Sequence, residues 1–193
     1  ACSDVSPGPA PDSALTAADA SAMAGILVAQ SFAGGNEGTA SQWAANPLLA
    51  AAVVDVENQL ELTLPCPLGG SVHSNRTLSG TMDPETGALD MQFGLVQTHQ
   101  ACVVQPPDSE LHFTLDGAPN LTGAYSLSLD GVGGYEAGGT LAGAISWTEG
   151  DRAGTCQVSL EFSGVGQAQG AFSLTLTGQV CATTISHEVS VTP

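Results

Sequence analysis

The side chains best equipped for chemistry in this chain are five cysteines, Cys2, Cys66, Cys102, Cys156 and Cys181, and four histidines, His73, His99, His112 and His187. A tetrahedral metal site usually draws ligands in close pairs such as CxxC. No two of these cysteines are close, and the histidines show no HxH or HExxH spacing. The segment SHEV at 186–189 lacks the second histidine of a zinc-protease helix. A reactive thiolate needs a neighbouring base or positive charge. The chain offers only two basic residues, Arg76 and Arg152, and no lysine. There is no GxSxG, and the glycine-rich GVGQAQG (164–170) and DGVGGYEAGG (130–139) lack the lysine of a phosphate loop. No catalytic residue and no metal ligand is therefore assigned, and the histidines read as surface or strand-face residues.

What the cysteine spacing does suggest is hairpins. The midpoint of Cys66 and Cys102 is Pro84, inside the turn signal DPETG (83–87). The midpoint of Cys156 and Cys181 falls between Ala168 and Gln169, inside GVGQAQG. Residues equidistant from a hairpin turn face each other across its strands. Both pairs are thus expected to form disulfides, each stabilising the fold by about 3–4 kcal/mol in the chain-entropy account. Two disulfides imply an oxidising compartment. Cys2 is left over. It follows an alanine as in the end of a bacterial lipobox, so lipidation and an intermolecular bond are its candidate fates, beside an ordinary free thiol.

Acidic residues gather at turns: Asp83, Glu85 and Asp90 at one, Asp130 and Glu136 at another, Glu149 and Asp151 at a third. Calcium requires several oxygens converging at about 2.3–2.6 Å. The first group is the candidate for it, with solvated turn acids as the simpler reading; no other cofactor is expected. NRT (75–77) and NLT (120–122) make Asn75 and Asn120 candidate glycosylation sites. Acids outnumber bases 19 to 2, for a formal charge of −17. Such a surface excludes nucleic acid as an electrostatic partner and does not dock on anionic lipid.

The elements that must position these residues are mostly strands. Residues 1–14 are rich in Pro, Ser and Asp and read as a flexible tether, the kind of segment a neighbour's sheet edge could accept. Residues 15–193 read as one β domain. Thr16 and Asp19 form a capping box and Gly34-Gly35 a stop, predicting a helix over about 16–33 with Ala18, Ala22, Met23, Ile26, Leu27 and Ala29 on its apolar face. Asn46-Pro47 is expected to open a short helical turn before a strand near 53–65. From residue 59 onward the period is two. Leu60, Leu62 and Leu64 share a face, as do Leu89, Met91, Phe93 and Leu95; so do Leu111, Phe113 and Leu115, and Cys156, Val158, Leu160 and Phe162. The alternate positions are rich in Ser and Thr. The pattern predicts a mainly β fold: an antiparallel meander of about nine strands, barrel-like or sandwiched, one face core and one face wet, with the helix packed on the sheet.

The order CPLGG, DPETG, Cys102, FTLDGAPNL, AISWTEGDRAGTCQVSLEF, GQVCA resembles a family of uncharacterised secreted proteins and lipoproteins of environmental bacteria. The resemblance spans roughly residues 15–187. It departs at Ala182, where the family pattern has glycine. It implies an exported β domain and carries no activity.

Three classes of function remain. The first is a non-catalytic structural or adhesive protein, secreted or at the cell surface, assembling with copies of itself. The second is a lipoprotein of the periplasm or outer membrane, held by a lipid on Cys2, with a small hydrophobic ligand inside a barrel. A secreted hydrolase ranks last, because no pair of groups is nominated for catalysis.

Overall fold

The computed structural model describes residues 15–32, 54–106, 110–117, 121–131, 134–167 and 172–191. The tether, Cys2, Asn120 and the helical turn expected after Pro47 lie outside the described residues.

Helix α1 (Ala17–Phe32) starts at a reciprocal cap. The Asp19 N–H donates to Thr16 Oγ1 at 3.1 Å, and the Thr16 N–H donates to Asp19 Oδ2 at 3.3 Å. The capping box is thus where the sequence places it. The buried face differs from expectation. Ala20, Met23, Ala24, Leu27, Val28 and Ser31 are buried, while Ala18 and Ala29 are exposed. The helix is apolar on most of its circumference, so its own periodicity is too weak to choose a face, and the sheet chooses it.

The strands are β1 (Val54–Pro65), β2 (Ser71–Met82), β3 (Ala88–Gln100), β4 (Cys102–Val104), β5 (Phe113–Asp116), β6 (Leu121–Asp130), β7 (Gly134–Glu149), β8 (Arg152–Gln167), β9 (Phe172–Val180) and β10 (Thr183–Val191). They form one antiparallel sheet in the order β1-β2-β3-β6-β7-β8-β9-β10, open at β1 and β10. The sheet is therefore not closed into a barrel. The strand beyond the expected nine is β4, only three residues long. It pairs with β5, and β5 with the C-terminal half of β7 beyond β6. Leu111 was expected to join Phe113 and Leu115 on a strand; it precedes β5 and is exposed. Likewise Gly164 to Gln167 continue β8 rather than forming the turn that their glycines suggest.

Period-two alternation separates the faces. On β8, Cys156, Val158, Leu160 and Phe162 are buried, and Gln157, Ser159, Glu161 and Ser163 are exposed. Opposite them on β7 stand Ile145, Gly143, Leu141 and Gly139 in register. Gly139 has a reason to lack a side chain, since a Cβ would lie 2.4 Å from both Ala124 O and Tyr125 Cβ. α1 rests on β9 and β10 and completes a core containing Phe113, Trp147, Leu174, Leu176 and Ile185. Each such side chain, fully buried, contributes about 1.5–3 kcal/mol relative to exposure.

Candidate functional site

The cysteines pair as their spacing predicts: Cys66 with Cys102, and Cys156 with Cys181. The first pair is not a simple cross-strand rung. Cys66 follows the end of β1, in the turn before β2, and Cys102 begins β4. The turn CPLGG is itself laid against β4. The Leu68 N–H donates to Val103 O at 3.2 Å, and the Val103 N–H donates to Gly69 O at 2.8 Å. Gly70 sits at φ +75°, where a Cβ would meet Ala101 O at 1.9 Å. The glycines therefore permit close backbone contact, and the disulfide holds the turn on the short strand. The second pair lies just beyond the last β8–β9 rung, Val158 with Val180, in the two-residue turn from β9 to β10. Cys181 and Ala182 both have positive φ there, 51° and 63°. That is the left-handed region that glycine tolerates best.

The acidic groups hold turns. Asp83 Oδ1 accepts from the Glu85 N–H at 2.9 Å and the Thr86 N–H at 3.4 Å, and Oδ2 accepts from Thr86 Oγ1 at 2.8 Å. These bonds, the Thr86 hydroxyl first, hold its carboxyl below the usual range. Asp130 Oδ1 accepts from the Gly134 N–H at 2.8 Å. Glu149 Oε2 accepts from Arg152 Nε at 2.6 Å, and the Arg152 guanidinium also stands 3.6 Å from Asp19 on the helix. Among the described residues no group of three His, Cys, Asp or Glu side chains is placed to hold a metal ion. Asn75 is exposed in mid-strand on the polar face of β2.

The histidines are not brought together. His73 meets Thr63 Oγ1 at 2.9 Å, and His112 is exposed. His99, by contrast, is buried. Its Nε2 lies 2.9 Å from Gln30 Oε1 on α1, and Gln30 Nε2 donates to Cys102 Sγ at 3.4 Å. Because the Gln30 oxygen can only accept, His99 Nε2 is the donor. Burial pushes its pKa down to about 4, against a smaller opposing pull from Asp116.

His99 belongs to a polar patch on the core side of β2 and β3, formed with Ser74, Arg76 and Gln97, all buried. Arg76 Nε donates to Ser74 Oγ at 3.0 Å. Burial lowers the Arg76 pKa and raises that of Tyr125, while the charge of each partly offsets the shift of the other. Gln97 is wholly buried, and neither its amide oxygen nor its nitrogen has a hydrogen-bond partner. Parity could have shown this patch. Residues 89, 91, 93, 95, 97 and 99 read Leu, Met, Phe, Leu, Gln, His along one face. The polar pair looks like a strand emerging into water, yet both residues are buried and His99 meets Gln30 of the helix.

Two open clefts lie on the described surface. One, of about 580 Å³, is lined by Thr98, His99, Gln100, Ala101, Asp116 and Ser146; the other by Gln59, Asn75, Thr77, Gly94 and Leu95. In the apolar core Phe93 stacks on Tyr125 at 4.5 Å and Phe113 meets the edge of Trp147 at 6.1 Å.

The remaining distinctive feature is the pair of sheet edges. Among the described residues β1 pairs only with β2, and β10 only with β9. Comparison with known proteins gives no match to a family model, a curated protein or a solved structure. The disulfides are compatible with an oxidising extracellular environment, and no described helix is long and apolar enough to cross a membrane.

Proposed function

We propose that this protein is a non-catalytic structural or adhesive domain of the cell exterior that assembles with copies of itself. The observation that carries this reading is the open sheet, whose end strands each have one partner among the described residues. An exposed edge presents a row of N–H and C=O groups that another strand can pair with. The side chains able to do chemistry support the same reading, because they are engaged in scaffolding: four cysteines in two staples, Asp83 and Asp130 in turns, and His99 under the helix. A packed aromatic core favours it over a hydrophobic ligand held inside.

A charge of −17 opposes association at low ionic strength. Salt shortens the Debye length from about 30 Å at 0.01 M to about 3 Å at 1 M. Sedimentation of the full chain should therefore show mass rising with salt and protein concentration. A monomer at every salt and concentration would remove the proposal.

A further inference from the structure

We infer that the copies join head to tail, β10 of one molecule pairing with β1 of the next. This inference rests on the assembly reading above and specifies its joint.

Strand direction permits it. The continuous path runs through eight strands, all neighbours antiparallel, so β1 and β10 point in opposite directions. A second copy placed beside β10 without being turned over or reversed presents a β1 that continues the alternation. The apolar face stays on the same side of the enlarged sheet. The joint is heterologous and leaves a free β1 and a free β10 at its two ends, so addition repeats. The twist between strands would wind the product into a helical ribbon.

The two edges also differ in a complementary way. β10 is backed by α1 on its core side. β1 carries Leu60, Leu62 and Leu64 on that side, and all three are only half-buried. Beside a neighbour's β10, this leucine row continues the row that includes Ile185 and comes under the reach of the neighbour's helix. Joining β1 to β1 would bring two half-covered leucine rows together without a helix. It would also bring Glu57 and Glu61 of each copy, all exposed, onto one seam. Like charges set across strands are destabilising. Joining β10 to β10 would leave both leucine rows as they are and bring two helices to one seam. Only the mixed joint gives each edge what it lacks, and its exposed described acids are Glu57, Glu61 and Glu188.

The test uses full-length chains blocked at one edge. Successive N–H groups along a strand point to opposite neighbours, and proline removes one and fills its place with a ring. Of Gln59→Pro and Leu60→Pro, one blocks the outer edge of β1 and the other breaks its pairing with β2; Ser186→Pro and His187→Pro do the same for β10. The variant of each pair that keeps the parent's cooperative unfolding is carried forward. In salt that assembles the parent, each blocked chain alone should sediment as a monomer. An equimolar mixture should form dimers and stop there. Self-association of either blocked chain would show a like-to-like or other joint, overturning the inference while the assembly reading stands. Loss of assembly on deleting residues 1–14 would assign the edges to the tether of another copy, with the same consequence. Failure of the parent to assemble would overturn both.

Discussion

The two ends of the sheet are built differently. From β5 to β9 the core side is apolar strand after strand, and α1 rests on β9 and β10; Phe113, Leu174 and Leu176 have no exposed surface. From β1 to β3 the same side carries Ser74, Arg76, Gln97 and His99 together with three half-covered leucines. One end is organised by hydrophobic packing. The other is held by a staple, a laid-down turn and a hydrogen bond from His99 to the helix. A domain that completes its own core at one end and leaves the other partly uncovered has its stability concentrated in the first and its capacity for partners in the second.

The sharpest way to break this comparison is to truncate each end. Phe113→Ala should cost about 3–5 kcal/mol in urea unfolding, since it empties a closed site. Leu62→Ala, at a half-covered site on β1, should cost less than about 1.5 kcal/mol. Equal losses would mean that the ends are packed alike.

The staples come next. Paired replacement of Cys66 and Cys102 by serine, or of Cys156 and Cys181, opens loops that the disulfides close over sequence separations of 36 and 25. In the chain-entropy account each loss is about 3–4 kcal/mol, nearly the same for both. A markedly larger loss for Cys66–Cys102 in denaturation curves would show that the polar end depends on its staple for docking as well as for entropy.

His99 provides a pH test of the same end. Its pKa is about 4 in the fold and 6.5 when unperturbed. Between those values the unfolded chain takes up a proton that the native chain refuses, so stability is full above pH 6.5 and declines as pH falls toward 4. The contribution is on the order of 3 kcal/mol, from about 1.4 kcal/mol for each unit of the difference. His99→Gln should flatten the stability profile in this window; an unchanged slope would assign the acid loss to other groups.

Smaller effects are expected to be gains. Gln97→Leu replaces a buried amide without partners by an apolar side chain, and should raise stability by about 1–2 kcal/mol. A loss would show that the polar patch needs its amide. At the well-packed end, Ala182→Gly should gain about 0.5–1 kcal/mol by relieving a φ of 63°. Thermal unfolding resolves that change, and no gain would mean that the Cys156–Cys181 bond already holds the turn at no cost.

Much of this architecture is written locally. The capping pair Thr16–Asp19, the DPETG turn and the alternation on β8 each follow from neighbours in the chain, and each is found where the residues imply it. Cysteine spacing named both partners, although Cys66 and Cys102 meet through a turn folded onto β4 rather than across a rung. What was not legible depended on contacts between distant segments. Ala18 and Ala29 looked like core because a nearly uniform apolar helix carries no internal mark of its inner side. Gln97 and His99 looked like a strand end because nothing nearby in sequence announces that Gln30, 69 positions away, meets His99 from the helix.

The sequence by itself determined an acidic, lysine-free, disulfide-bonded chain of alternating strands after one capped helix, because charge, cysteine spacing and periodicity act over short stretches or over the whole composition. Only the tertiary structure decided that the sheet stays open, which strands become its edges, which side of the helix is buried and which polar residues are sealed beneath it. Those outcomes depend on registers and packing summed over the entire sheet, where no single segment holds the answer.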